Sequence, residues 1–422
     1  MKKLILFLLI AALTACTPSR ISMTATITPT FSPLPDATST NKATSVSTAM
    51  PKPTDNNSSD FNFLEDQCFD TLSNLPIGIV PSEILVLKSS NGLSLLNLTQ
   101  HTQREISGLV PFSSTSPNGR WLVYAYYPPN QAVEQIAIES ADGLTHIQFP
   151  VKQGWLIFDN VLWLDNERLW FSVLPDILQG QVAPVVILNP FTGEQQELLS
   201  DYPQIERYQI GMTLNPGLHF GYSSVVYHPS LDLVIYPQSE EDRRFITLWD
   251  RQSQRALVKI PDGGLYGHLP LWLPGGERFV VVARYDWDSP REWLSVSRDG
   301  DVRQLTHFGD MYADFEIGMY ASISPDGNYL AFGLSENVDT NTTLPKQLII
   351  LNLQTLEAIN TCVTFSYPAP IWSPNSRYVA VQTRDSSSNP SNILVLDIEQ
   401  KWAAKIAEDA KAIPVGWMIN KK

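Results

Sequence analysis

Short apolar runs bounded by tight polar turns recur along most of this chain, and none carries a sustained helical period with caps. YASISPDGNYLAFG (320–333) is the plainest copy. Pro presets φ and Gly supplies a positive φ, so Ser324-Pro325-Asp326-Gly327 predicts a turn. Tyr329 to Phe332 predicts the strand that follows it. Aligned on the turn, the other copies are FSSTSPNGRWLVYA, NVLWLDNERLWFSV, SVVYHPSLDLVIYP, LPLWLPGGERFVVV and APIWSPNSRYVAVQ. The second turn position is Pro117, Asp165, Pro229, Pro274, Pro325 and Pro374, with gaps of 48, 64, 45, 51 and 49 residues. Two copies depart from the pattern, Asp165 replacing Pro and YHPSLDL lacking Gly, and there apolar register carries the prediction.

Two further strands are predicted between successive turns. LIILNL and ILVLDI are apolar throughout, as in strands covered on both faces, and polar hairpin residues follow them. The unit of strand, turn, strand, loop, strand, hairpin, strand has the period of a four-stranded propeller blade. Six turns would make six blades, but the ends supply another. EILVLKSSNGLSLLNLTQHTQREI (83–106) matches a blade's last three strands, and Val415-Gly416-Trp417 matches an innermost one. The expected fold class is therefore all-β, a seven-bladed β-propeller over 83–422 closed by pairing of N- and C-terminal strands, which removes open edges. Trp163, Tyr227, Trp272, Trp372 and Trp417, just before their turns, are expected to pack between blades; ligand stacking is the other reading.

These turns, followed by YLAFG or YVAVQ, resemble the TolB-type, WD-like β-propeller repeat over residues 83–419. The resemblance implies a fold and leaves the role open. TolB carries an additional α/β domain before its propeller, which a tether replaces here, so a Tol-system role is not carried over.

The N-terminus adds a location. Lys2 and Lys3 precede an apolar run, Leu4 to Leu13, too short to span a bilayer, as in a signal peptide over 1–15. Leu13-Thr14-Ala15-Cys16 resembles the bacterial lipobox, which implies lipidation at Cys16; an ordinary signal peptide cut nearby is the alternative. Residues 16–60 are rich in Thr, Ser and Pro and read as a disordered tether, and 61–82 as a lead-in segment. Together they predict a cell-envelope protein, lipid-anchored to a membrane and facing outside the cytoplasm.

Losing residues 1–15 moves the formal charge from -14 to -16. So acidic a chain is not expected to bind nucleic acid, because phosphate contacts come mainly from Lys and Arg. With Cys16 used for lipid, Cys68 and Cys362 remain. Ring closure would bring them together, predicting a disulfide; two buried free thiols are the alternative.

Enzyme signatures are absent: no Gly-x-Ser-x-Gly elbow, His-Glu-x-x-His helix, Walker loop or Gly-x-Gly-x-x-Gly after a strand. Of the six histidines, His228 replaces the Ser of its turn and reads as structural, while His219, His268 and His307 fall in or near connections leading into innermost strands. Some seven-bladed propellers of this repeat type are polysaccharide lyases with metal-binding channel histidines. No two histidines here have a short ligand spacing, so neither a metal nor another cofactor is expected. Loops 284–293, 237–244 and 334–346, with connections 200–222 and 306–318, are expected on one face. Arg284, Tyr285, Trp287, Phe308, Tyr312 and Tyr208 are the candidate partner-binding residues, aromatics beside charge being what recognition surfaces use. The expected function is a monomeric binding or scaffold module for a protein, peptide or glycan. A glycan-active enzyme working in the channel and a structural assembly subunit are the alternatives.

Overall fold

A computed structural model of the protein describes residues 61–76, 83–126, 135–150, 156–157, 161–174, 185–198, 226–228, 233–240, 243–250, 252–261, 270–336, 346–365, 368–383, 391–408 and 411–419. The expected signal peptide and tether, with Cys16, lie outside them, as does Tyr208. Among the described residues the chain is almost wholly β, in seven sheets of four or five strands with a propeller arrangement. No helix there is long and apolar enough to cross a membrane.

The first sheet joins the two ends: Ile413–Ile419 pairs antiparallel with Glu83–Ser89, followed by Gly92–Asn97 and Thr102–Ser107. The second is Phe112–Thr115, Trp121–Tyr126, Gln135–Ser140 and His146–Pro150. The third is Leu162–Trp163, Leu169–Leu174, Val185–Leu188 and Gln195–Leu198, with Leu156–Ile157 also on Leu169–Leu174. Val226–His228, Leu233–Glu240, Arg243–Asp250 and Arg255–Pro261 make the fourth. Leu271–Trp272, Arg278–Arg284, Arg291–Ser297 and Val302–Gln304 make the fifth. The sixth is Phe315–Ile323, Tyr329–Glu336, Lys346–Asn352 and Glu357–Phe365. The seventh is Ile371–Trp372, Tyr378–Thr383, Asn392–Asp397 and Trp402–Ala407.

The repeat turn does more than reverse the chain. Ser324 is fully buried; its hydroxyl donates to Asp326 (2.6 Å) and accepts the Tyr329 N–H (2.9 Å). Ser116 and Ser373 make the same pair of bonds around Asn118 and Asn375. Where Asp165 replaces Pro, its carboxylate accepts the N–H groups of Glu167 and Arg168 (2.9 and 2.8 Å), and an Asx-type turn results.

Neighbouring sheets bury one another's faces and are stitched by recurring side-chain bonds. Trp372 Nε1 donates to the Ser322 carbonyl (3.1 Å) of the sixth sheet, and Trp417 Nε1 to the Ile371 carbonyl (2.9 Å) of the seventh. Ser114 Oγ donates to the Val161 carbonyl (2.7 Å), and Ser322 Oγ to that of Pro370 (2.5 Å). Trp417 thus joins the first sheet to the seventh. Its strand also reaches the second, because Trp417 N–H meets Thr115 Oγ1 (3.3 Å) and Ile419 N–H donates to the Gly119 carbonyl (2.8 Å). A Cβ at Gly416 would lie 2.4 Å from Thr115, so only glycine permits that approach. Trp163 departs from the pattern: its Nε1 is buried without a partner, and its ring stacks on Phe191.

Residues 61–76, which the sequence marks only as a lead-in, form a strap. Asn62–Leu64 adds a parallel fifth strand to the sixth sheet, and Asp70–Leu72 adds one to the seventh. Phe69 is buried between those sheets. A register shift in Glu357–Phe365 puts Cys362 at φ 57°, and the strand's irregularity turns its side chain outward. Cys362 is disulfide-bonded to Cys68 across a separation of 294 residues, as expected.

Trp417→Ala removes packing and stitching at once, and urea unfolding should show a loss of about 3–5 kcal/mol. Replacing Cys68 and Cys362 by Ser should cost about 2–4 kcal/mol, since the bridge restricts the unfolded chain over a long loop. In unfolded, unreduced wild-type protein neither thiol should react with a thiol reagent.

Candidate functional site

The loop between the second and third strands of the fifth sheet is internally braced. Asp286 Oδ1 accepts the N–H groups of Asp288 (3.0 Å) and Ser289 (2.8 Å) and the Ser289 hydroxyl (2.7 Å), and the Ser289 bond foremost holds its carboxyl below the usual range. Arg284 donates to the Ser289 carbonyl from the strand beneath. Bracing presents Trp287 half-buried, with Asp286 and Asp288 exposed on either side. Trp287 is also held from the fourth sheet: its ring meets Phe245 edge-on (5.5 Å), and the Arg243 guanidinium lies over it at 5.2 Å. The Lys259 ammonium is 6.0 Å from the Phe245 ring. Across the junction of these sheets the two rings therefore meet edge to face with a cation at each end, Arg243 over Trp287 and Lys259 over Phe245. Tyr285 is partly buried against the same junction.

The connection from the fifth sheet into the sixth touches that loop. A Cβ at Gly309 would fall 2.5 Å from the Pro290 ring, so the connection can lie against that ring only with glycine there. Glu292 clamps the connection, its buried carboxylate accepting the Thr306 hydroxyl (2.5 Å) and the Gly309 N–H (2.7 Å). Burial pushes the Glu292 carboxyl up to about 7, against the pull of those two bonds. His307 has its Nδ1 3.7 Å from Asp310, and burial lowers its pKa.

Phe308 and Tyr312 do not join Trp287 in an open surface. Phe308 is fully buried, enclosed by Phe61 and Phe63 of the strap (5.3 and 5.4 Å) and by Phe315 and Phe332. Its assignment as a partner-binding residue is corrected to core: an apolar connection needs cover, and the strap supplies it. Tyr312 lies near Phe63 (6.5 Å), so the strap flanks it too; burial, then the nearby Glu65 carboxylate, holds its hydroxyl above the usual range. Met311 beside it is exposed. Tyr208, His219 and His268 lie outside the described residues, and so do most of loops 200–222 and 334–346.

One cluster carries no sequence signal. Lys346, nearly buried at the start of a third strand, places Nζ 2.6 Å from Glu316 on an inner strand and 3.3 Å from Ser335 Oγ. Thirty positions separate the ion-paired residues, so only folding brings them together. Among the described residues no three His, Cys, Asp or Glu side chains are grouped so as to hold a metal ion.

No protein-family model matches the chain. Over 146 residues it is 27% identical to a phosphoribosylformylglycinamidine cyclo-ligase of Anaeromyxobacter dehalogenans (strain 2CP-C), covering 34% of this chain and 36% of that protein. The homologous protein of Anaeromyxobacter sp. (strain K) is 26% identical over the same shares. The chain spans little over a third of those relatives, and their activity is not carried to it. Among solved structures, the β-propeller domain of the Trilobed protease from Pyrococcus furiosus, described as having an open velcro topology, is similar over 81% of this chain and 99% of that one, with TM-score 0.50 and 13% identity. That likeness shows the fold, a β-propeller. TolB from Acinetobacter baumannii (TM-score 0.44, 12% identity, 79% and 81% covered) and an oligogalacturonate lyase in complex with manganese (0.49, 10%, 80% and 86%) are less similar and add nothing to it.

Phe308→Ala should cost about 3–5 kcal/mol in chemical unfolding, as for a core aromatic. For Glu292 the folded value, about 7, lies above the ordinary 4.5. Its contribution to stability is therefore complete below pH 4.5 and lost as pH rises through 7. Urea unfolding between pH 4 and 8 should show that Glu292→Gln flattens this part of the profile.

Proposed function

We propose that the protein is a binding module: a closed, seven-bladed propeller, held outside the cytoplasm by lipid on Cys16 and a tether over 16–60, that offers its loop face to a protein, peptide or glycan. The reading rests most on Trp287, a half-buried aromatic on a braced loop, flanked by exposed carboxylates and backed by Arg243 and Phe245. Rigid aromatics rimmed by charge bind at low entropic cost because little is left to order on contact. Closure is supported by Ile413–Ile419, which pairs with Glu83–Ser89 and is bonded to the second and seventh sheets. The anchor is supported by the Leu13-Thr14-Ala15-Cys16 sequence alone. A second reading, glycan chemistry at the propeller, has the Glu316–Lys346 pair in its favour, a partly screened acid and base in contact.

Two variants test this. Cys16→Ser should leave the protein unprocessed or release it from membranes; unchanged mass and unchanged membrane partition would remove the anchor. Trp287→Ala should weaken capture of envelope proteins or array glycans by about 2 kcal/mol or more, roughly thirtyfold, with the melting temperature nearly unchanged. Binding that survives the change moves the recognition surface elsewhere. Turnover of array oligosaccharides that is lost in Lys346→Met would instead favour the enzymatic reading.

A further inference from the structure

The first sheet is where Ile413–Ile419 is held against Glu83–Ser89, the strand that follows the strap, and Glu83 is the first residue of this seam. It pairs in register with Ile419, the last residue of the inner strand. Its side chain is 4% exposed, and its Oε2 is buried without a hydrogen-bond partner. Glu292, also deeply buried with a raised pKa, receives a hydroxyl and a backbone N–H on its carboxylate, whereas Glu83 Oε2 receives neither.

Among the described residues, the elements around it bring no cation into an ion pair with Glu83; Arg120, next to the Gly119 whose carbonyl takes the Ile419 N–H, is exposed. The inner strand, Ile413–Ile419, and the third strand, Gly92–Asn97, contain no titratable side chain. The facing seventh sheet brings Tyr378, whose charge interaction with Glu83 is unfavourable and whose hydroxyl burial keeps neutral. Arg377 lies over the Tyr378 ring but is committed elsewhere: Nε and Nη2 both donate to Asp397 Oδ2 (2.9 and 2.7 Å), and Nε is 3.4 Å from Glu399. On its own strand Lys88 lies at the far end, donating to the Pro111 carbonyl. His101, in the hairpin beyond the third strand, is exposed. Lys421 and Lys422 lie outside the described residues.

An ionised carboxylate in such a place is destabilised by lost hydration with nothing in exchange, whereas the neutral acid is tolerated. We propose that protonation of Glu83 controls how firmly the chain's ends are locked, so that the seam is tight in mildly acidic surroundings and loosens as they become alkaline. Burial raises the Glu83 carboxyl from 4.5 to about 7, which sets the window. Raised folded-state affinity for the proton means that the stabilisation is complete below pH 4.5 and is lost as pH rises through 7. Charge placed at the seam acts on the contact that closes the sheet, and so loosens it locally before the other sheets unfold.

Amide hydrogen exchange on the full-length protein between pH 5.5 and 8.5 tests this, expressed as protection factors so that the intrinsic pH dependence of exchange divides out. In wild type, protection of Ile413–Ile419 and Glu83–Ser89 should fall by roughly tenfold to a hundredfold relative to Arg278–Arg284 in the fifth sheet. Glu83→Gln should retain its acid-range protection at pH 8.5. Equal decline in both proteins would overturn the proposal, as would a seam looser than wild type at every pH, which would mean that the carboxylate serves a partner. Should Glu83→Gln not fold, Glu83→Met removes the same charge and is judged by the same contrast. A wild-type seam whose protection does not change with pH would also overturn it.

Discussion

A four-stranded sheet that is apolar on both faces cannot be stable alone, and everything else in this structure follows from that constraint. Val281 and Val296 of the fifth sheet are fully buried only because the fourth sheet covers them, while Val280 and Trp293 on its other face are covered by the sixth. Burial of this kind has no preferred register. The polar bonds supply one, with Trp372 and Trp417 donating to inner-strand carbonyls of the preceding sheet and serines donating forward. Each such bond sits where a slip of one residue would leave a buried donor unpaired.

The same logic explains the strap. A propeller sheet ends at an outer strand with unpaired backbone groups, and edges of this kind invite association. On the sixth and seventh sheets those edges are taken by the chain's own residues 62–64 and 70–72, with the disulfide between them. Phe61 and Phe63 then cover Phe308, an aromatic that would otherwise lie open. The strap is part of the packed and cross-linked core of this region.

Covering Phe308 and flanking Tyr312 leaves Trp287 as the aromatic of these loops with an open side. Trp287 keeps part of its ring accessible while Arg243, Phe245 and the braced loop fix its position. Trp287 is thus neither a free surface side chain nor a core residue, the condition under which an aromatic can anchor a partner with little reordering. Nearby, Glu292 ties that loop's strand to the connection into the next sheet, so the two segments present a fixed relative geometry.

The sequence by itself determined the repeat unit, the turn positions, the sharing of the first sheet between the chain's ends and the Cys68–Cys362 bridge. The first three rest on local signals, apolar runs and turn residues repeated at a readable period; the bridge follows from the cysteine count once the ring is closed. Tertiary structure alone decided the rest. That Phe308 is core whereas Trp287 is half-open could not be read locally, since both are aromatics in polar loops and differ only in what folds over them. The strap strands are three residues each, too short for a periodic signal, and exist because outer edges were there to pair with. Glu316 and Lys346, and Gly309 and Pro290, meet across gaps that no local pattern spans. Sequence fixes what one sheet can be; how sheets face each other fixes which side chains are left to act.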